Sequence, residues 1–100
     1  MTFRVYALLD PRDNTIRYVG CTAKQLAHRL TDHLSSTGKA KRFRWIKELR
    51  ALNLRPEIHL LEEVTVARRL DAHAVEQRWV KKLKDEGHDL LNDWPTRRAR

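Results

Sequence analysis

The chain has a single cysteine, Cys21, so it can close no internal disulfide and build no cysteine-based zinc site. Nothing in it asks for an oxidising compartment, and a reduced, cytoplasmic setting is the expectation. A thiol nucleophile is equally unsupported, because no feature of the sequence around Cys21 lowers its pKa. No apolar run approaches the roughly 18 residues needed to span a bilayer, and Met1, Thr2, Phe3 and Arg4 do not open a signal-peptide core. These absences imply a soluble, unexported protein with no membrane partner. Internal repeats and low-complexity segments are missing too. A chain of 100 residues has no room for two independent cores. A single domain of this size buries about two-thirds of its unfolded surface.

Positive charge is what the chain has in excess. Lys and Arg number 21 against 13 Asp and Glu, for a formal net charge of +8. That balance points to an acidic partner, of which nucleic acid is the commonest; a basic surface that serves only solubility is the alternative.

Residues 3–20 read as a β-hairpin. Phe3, Val5, Ala7 and Leu9 alternate with Arg4, Tyr6, Leu8 and Asp10, and a second strand follows the Pro11, Arg12, Asp13, Asn14 turn. A loop spanning residues 11–13 would set Tyr6 directly opposite Tyr18 on one face; a loop one residue longer would break that pairing. Thr22 is placed to cap a helix, with Gln25 closing a capping box and Leu26, Leu30 and Leu34 forming its apolar stripe up to residues 35–38. A second helix, about residues 39–53, carries Phe43, Ile46, Leu49 and Leu52 on one side and Lys41, Arg42, Arg44, Lys47 and Arg50 around the remainder. Pro56 closes the connection, and residues 57–64 read as a third strand. A long helix over about residues 66–86 runs through Leu70, Ala74, Val80 and Leu83 until Gly87 stops it. The expected fold is one α+β domain of order ββααβα over residues 1–95, its helices flanking a three-stranded antiparallel sheet, with a basic tail at residues 96–100.

Within this frame a few polar residues stand out. Arg29 and His33 are spaced i, i+4, on one edge of the leucine stripe, at the border between core and water. Glu76 shares the inward side of its helix with Val80 and Leu83, so a carboxylate is drawn into the core and needs a partner. The partner is either a structural arginine such as Arg29 or a divalent cation that also binds substrate phosphate. Trp45, Trp79 and Trp94 either stack bases or pack in the core.

Taken in order, Val5-Tyr6-Ala7, Tyr18-Val19-Gly20, Arg29 with His33, Glu76 before Trp79-Val80, and Leu90-Leu91-Asn92 resemble the GIY-YIG nuclease family over nearly the whole chain. The resemblance implies a three-stranded antiparallel sheet flanked by helices and hydrolysis of DNA phosphodiesters with one divalent ion, Mg²⁺ or Mn²⁺. It implies that Tyr6 and Tyr18 are the motif tyrosines, Gly20 the closing glycine, Arg29 the catalytic arginine, His33 its companion, Glu76 the metal ligand and Asn92 the asparagine near the active site. Tyr6 is the first choice to orient or deprotonate the attacking water. Arg4 replaces the first motif glycine, and Cys21 stands where some repair-type members carry a lysine that assists the tyrosine; Lys24 or His28 is the candidate substitute. Lys24, Lys39, Lys41, Arg42, Arg44 and Lys47, with the Arg97, Arg98, Arg100 tail, are expected to grip backbone phosphates. Such a domain is expected to need DNA shape, a protein partner or a homodimer for targeting.

Overall fold

A computed structural model describes residues 1–92; Trp94 and the basic tail lie outside the described residues. Six elements follow in order: β1 (Thr2–Asp10), β2 (Thr15–Thr22), α1 (Leu26–Ser35), α2 (Lys41–Ala51), β3 (Glu57–Thr65) and α3 (Arg69–Asp85). The sheet is antiparallel in the order β2-β1-β3, as the α+β reading requires. β1 is therefore central and buried on both faces, which explains its nearly unbroken apolar run. On one face Val5 and Val19 pack against Val75, Val80 and Leu83 of α3. On the other, Tyr6 and Leu8 pack with Trp45, Ile46 and Leu49 of α2 and the Leu26, Leu30, Leu34 stripe of α1.

The hairpin departs from the expected register. Asp10 pairs with Thr15, so the loop has four residues, with Asn14 in the left-handed region at φ 61°. Continued without a break, that ladder would put the two tyrosines on opposite faces, because a one-residue slip reverses every side chain. A bulge corrects it: Leu9 pairs with Ile16 but Leu8 with Tyr18, leaving Arg17 outside the paired register. Tyr6 then sits opposite Gly20, and the tyrosines become diagonal neighbours on the α1 and α2 face.

Three further expectations are corrected. Thr22 is the last residue of β2, and its hydroxyl accepts the Lys24 N–H at 3.0 Å, so it caps no helix; α1 starts one residue after Gln25 with no side-chain cap. Leu52 is exposed beyond the end of α2, which is shorter at both ends than its charge pattern suggested. On α3, Leu70 and Ala74 face solvent, and the buried stripe is Ala72, Val75, Glu76, Val80 and Leu83, the set that obeys the 3.6-residue period. Gly87 does end α3: at φ 98° it allows its own N–H to reach the Lys84 carbonyl and that of His88 to reach Leu83.

Two locks position the site elements. The chain after α3 runs along the free edge of β2, where Leu91 N–H donates to the Arg17 carbonyl and the Asn92 amide exchanges two hydrogen bonds with the Val19 backbone, at 3.0 and 2.8 Å. At the hairpin tip the Asp10 carboxylate, 2% exposed, accepts from Arg12 N, Nε and Nη2 and from Trp45 Nε1 at 2.7–3.0 Å, tying the hairpin to α2. The Arg12 hydrogen bonds hold this carboxyl well below the usual range.

Asp10→Asn should lower the free energy of unfolding in urea by about 1.5–3 kcal/mol at neutral pH, the range for hydrogen bonds to a charged group. Because the folded pKa is depressed, the contribution is complete above the unfolded value near about 3.9 and fades as pH falls through the folded pKa. The gap between variant and wild type therefore closes in acid.

Candidate active site

The hydroxyl of Tyr6 is the junction of the site. The residue is fully buried, its Oη lies 2.7 Å from His33 Nε2, and it accepts a hydrogen bond from Arg29 Nε at 3.2 Å. Arg29 donates to that oxygen, and the hydroxyl shares a second hydrogen bond with Nε2, whose direction follows the His33 tautomer. The spacing of i, i+4 lets consecutive turns of α1 clasp one atom. Gly20 makes this possible: a Cβ there would lie 2.5 Å from Tyr6 Cζ, so the ring crosses β2 only where a side chain is missing.

His33 is 2% exposed, deeper than the border position expected for it. Burial, with the positive charges of Arg29 and Arg42, pushes its pKa down to about 4, so it is neutral at physiological pH. Burial, reinforced by Tyr18 and Glu76, pushes the Tyr6 phenol up against the pull of Arg29, so Tyr6 is held as a neutral phenol. Tyr18 is half-buried, meets the His33 ring edge-on at 5.7 Å between centroids, and has the Arg42 guanidinium 5.4 Å from its ring centre.

Glu76 enters from α3, on the opposite face of the sheet, yet its charge is felt at both Tyr6 and Cys21. It is 6% exposed and makes no hydrogen bond or ion pair with any described residue. Arg29, the structural partner considered above, is engaged by Tyr6 and by Asp32 at 3.9 Å instead. Burial raises the Glu76 pKa to about 7. No group of three or more His, Cys, Asp or Glu gathers among the described residues, so a metal here would take one protein carboxylate and complete its shell with water and phosphate oxygens. A buried, unpaired carboxylate fits a Mg²⁺-like cation, which keeps several waters and favours oxygen ligands.

The remaining candidates separate. The Asn92 side chain spends its two hydrogen bonds on the backbone of Val19, the residue between Tyr18 and Gly20. Lys24 is drawn to Asp32 at 2.7 Å, and His28 is exposed on α1, so neither reaches the Tyr6 hydroxyl. Burial and Glu76 raise the Cys21 thiol pKa, which leaves it inert. Lys39, Lys41, Arg44 and Lys47 are exposed around α2. Arg42 is not one of that surface set, since it turns toward Tyr18 and His33. Of the tryptophans, Trp45 is 6% exposed and Trp79 donates to Glu62 at 2.9 Å while packing on the α3 core. No described helix is long and apolar enough to cross a membrane.

A family model, that of the GIY-YIG catalytic domain, matches residues 3–89. Neither a search of curated proteins nor one of solved structures finds a match.

Replacing Glu76 should expose its strain. The folded pKa is raised, so the cost of the ionised group appears as pH rises from 4.5 through about 7. Glu76→Gln is therefore expected to match wild type near pH 4.5 and to exceed it above pH 7 by up to about 3 kcal/mol in urea unfolding. A second substitution, Gly20→Ala, should cost about 1–3 kcal/mol by overpacking. It should also move the NMR titration of His33 away from about 4 as Tyr6 is displaced.

Proposed function

The chain belongs to the GIY-YIG family, whose members are nucleases acting on DNA, and we propose that it is a metal-dependent endonuclease that hydrolyses DNA phosphodiester bonds with Tyr18, Arg29 and Glu76 as its working groups. The observation that carries the reading is the buried Glu76 carboxylate without a partner among the described residues, held within electrostatic reach of the Tyr6 hydroxyl that Arg29 and His33 share. A fold would gain by replacing such a group unless a cation used it.

Glu76 would hold Mg²⁺ or Mn²⁺, and Lewis-acid stabilisation of the departing oxygen is what the ion supplies when bound. Arg29 offers a planar, permanently charged fork to the scissile phosphate, oriented by its Nε contact to Tyr6. The first choice for the group that meets the attacking water moves from Tyr6 to Tyr18. Tyr6 is sealed and has both hydrogen-bonding partners inside the protein, whereas Tyr18 reaches the half-buried rim. Tyr6 and His33 form the floor that keeps Arg29 aimed. Exposed Lys39, Lys41, Arg44 and Lys47 would bind backbone phosphates without reading sequence.

A plasmid-nicking assay with Mg²⁺ or Mn²⁺ tests this reading. Glu76→Ala and Arg29→Ala should each lose about 10²–10³-fold in rate, as when one charge-stabilising contact is removed, and chelation should stop the reaction. Tyr18→Phe should cost more in kcat than Tyr6→Phe. Equal nicking by all variants would sink the site. Binding to DNA that needs no metal, with no cleavage by wild type, would favour a binding module of the same fold.

A further inference from the structure

Arg42 belongs to a helix whose other cations face water, but its own side chain is turned the other way. Its guanidinium carbon lies 4.3 Å from the ring centre of Phe43 and 5.4 Å from that of Tyr18, and its charge helps depress the His33 pKa. No carboxylate among the described residues lies within ion-pair distance of it, and its Nε is buried without a hydrogen-bond partner. An aromatic ring engages the flat face of a guanidinium, which leaves the N–H groups around its edge for an anion. A buried N–H left unpaired costs on the order of 1–3 kcal/mol; the Nε is closed off by protein, and the Nη groups, neither buried nor bonded among the described residues, are the ones an anion can meet. Phe43 is fixed in turn by Gly38, where an added Cβ would meet its ring at 2.8 Å.

We propose that Arg42 is a second phosphate-binding guanidinium of the active site, contacting the scissile phosphate from the α2 side while Arg29 contacts it from α1. This rests on the nuclease reading above and adds a catalytic residue to it. The ligand class is a phosphodiester or free phosphate. Held by aromatic faces rather than by a carboxylate, Arg42 delivers its full charge to the reacting group.

In the nicking assay Arg42→Ala should lower kcat by roughly 10²-fold. KM should move no more than in Lys81→Ala, which removes a cation paired at the surface with Asp85. Arg42→Lys should recover about tenfold, since it keeps the charge and loses the fork. The loss should be uniform over about pH 6 to 9. An unchanged kcat, or a fall that appears only as a displaced pH limb and so marks action through Tyr18, would overturn the assignment. Inorganic phosphate titrated into Glu76→Gln protein, followed by the His33 ring resonances, gives a test that needs no cleavage. Affinity should weaken about tenfold when Arg42 is also Ala, one charge-assisted contact's worth, and equal affinity would overturn the proposal even if wild type cuts no DNA.

Discussion

A single buried hydroxyl ties the hairpin to the first helix. Tyr6 Oη lies within hydrogen-bond distance of groups one helical turn apart, and removing either leaves the buried hydroxyl one hydrogen bond short. To reach them the ring must lie across β2, which Gly20 permits by having no side chain. The rotation of α1 about its axis is thereby set by chemistry as well as by the leucine stripe packed beside it. Once α1 is set, the fork of Arg29 is no longer a loose surface side chain. Its Nε is spent on Tyr6, and Nη1 has Asp32 at 3.9 Å.

Much of this was legible from periodicity. The element order and the inward face of Glu76 follow from spacings of 2 and 3.6 residues, whereas the central position of β1 comes from the structure alone. The hairpin shows where such reasoning stops. Its loop is one residue longer than expected and β2 contains one extra residue, so two slips cancel and the tyrosines share a face without being paired. No alternation pattern announces a bulge, because Ile16 and Arg17 suit either register. The Thr22 cap failed for a related reason: β2 continues two residues beyond Gly20, and the hydroxyl is taken by the Lys24 N–H. Arg42 was grouped with the charged face of α2 because a helical wheel records direction but not the reach of a long side chain toward neighbouring rings.

The electrostatics of the site run against what a stable fold alone would select. Burial shifts Glu76 and His33 toward their neutral forms, the first raised to about 7 and the second lowered to about 4. Their linkage effects have opposite signs in the same window. The Glu76 term weakens the fold as pH rises from 4.5 to about 7, and the His33 term strengthens it between about 4 and 6.5. Near neutrality Glu76 is therefore only partly ionised and His33 is neutral.

Such a site is complete only with ligands of both signs. A cation at Glu76 would remove the desolvation cost of its ionised form, and a phosphate between the arginines would supply the anion that Arg42 lacks. Each ligand would also favour the other, because a cation holds phosphate oxygens in its own shell. By linkage the coupling would be reciprocal: DNA would strengthen metal binding by the same factor as metal strengthened DNA binding. A single carboxylate ligand would then be enough in the free protein, in keeping with the absence of any group of three or more His, Cys, Asp or Glu among the described residues. On the proposed reading the substrate would finish the metal shell, so hydrolytic competence would be assembled only where a phosphodiester already lies between the helices.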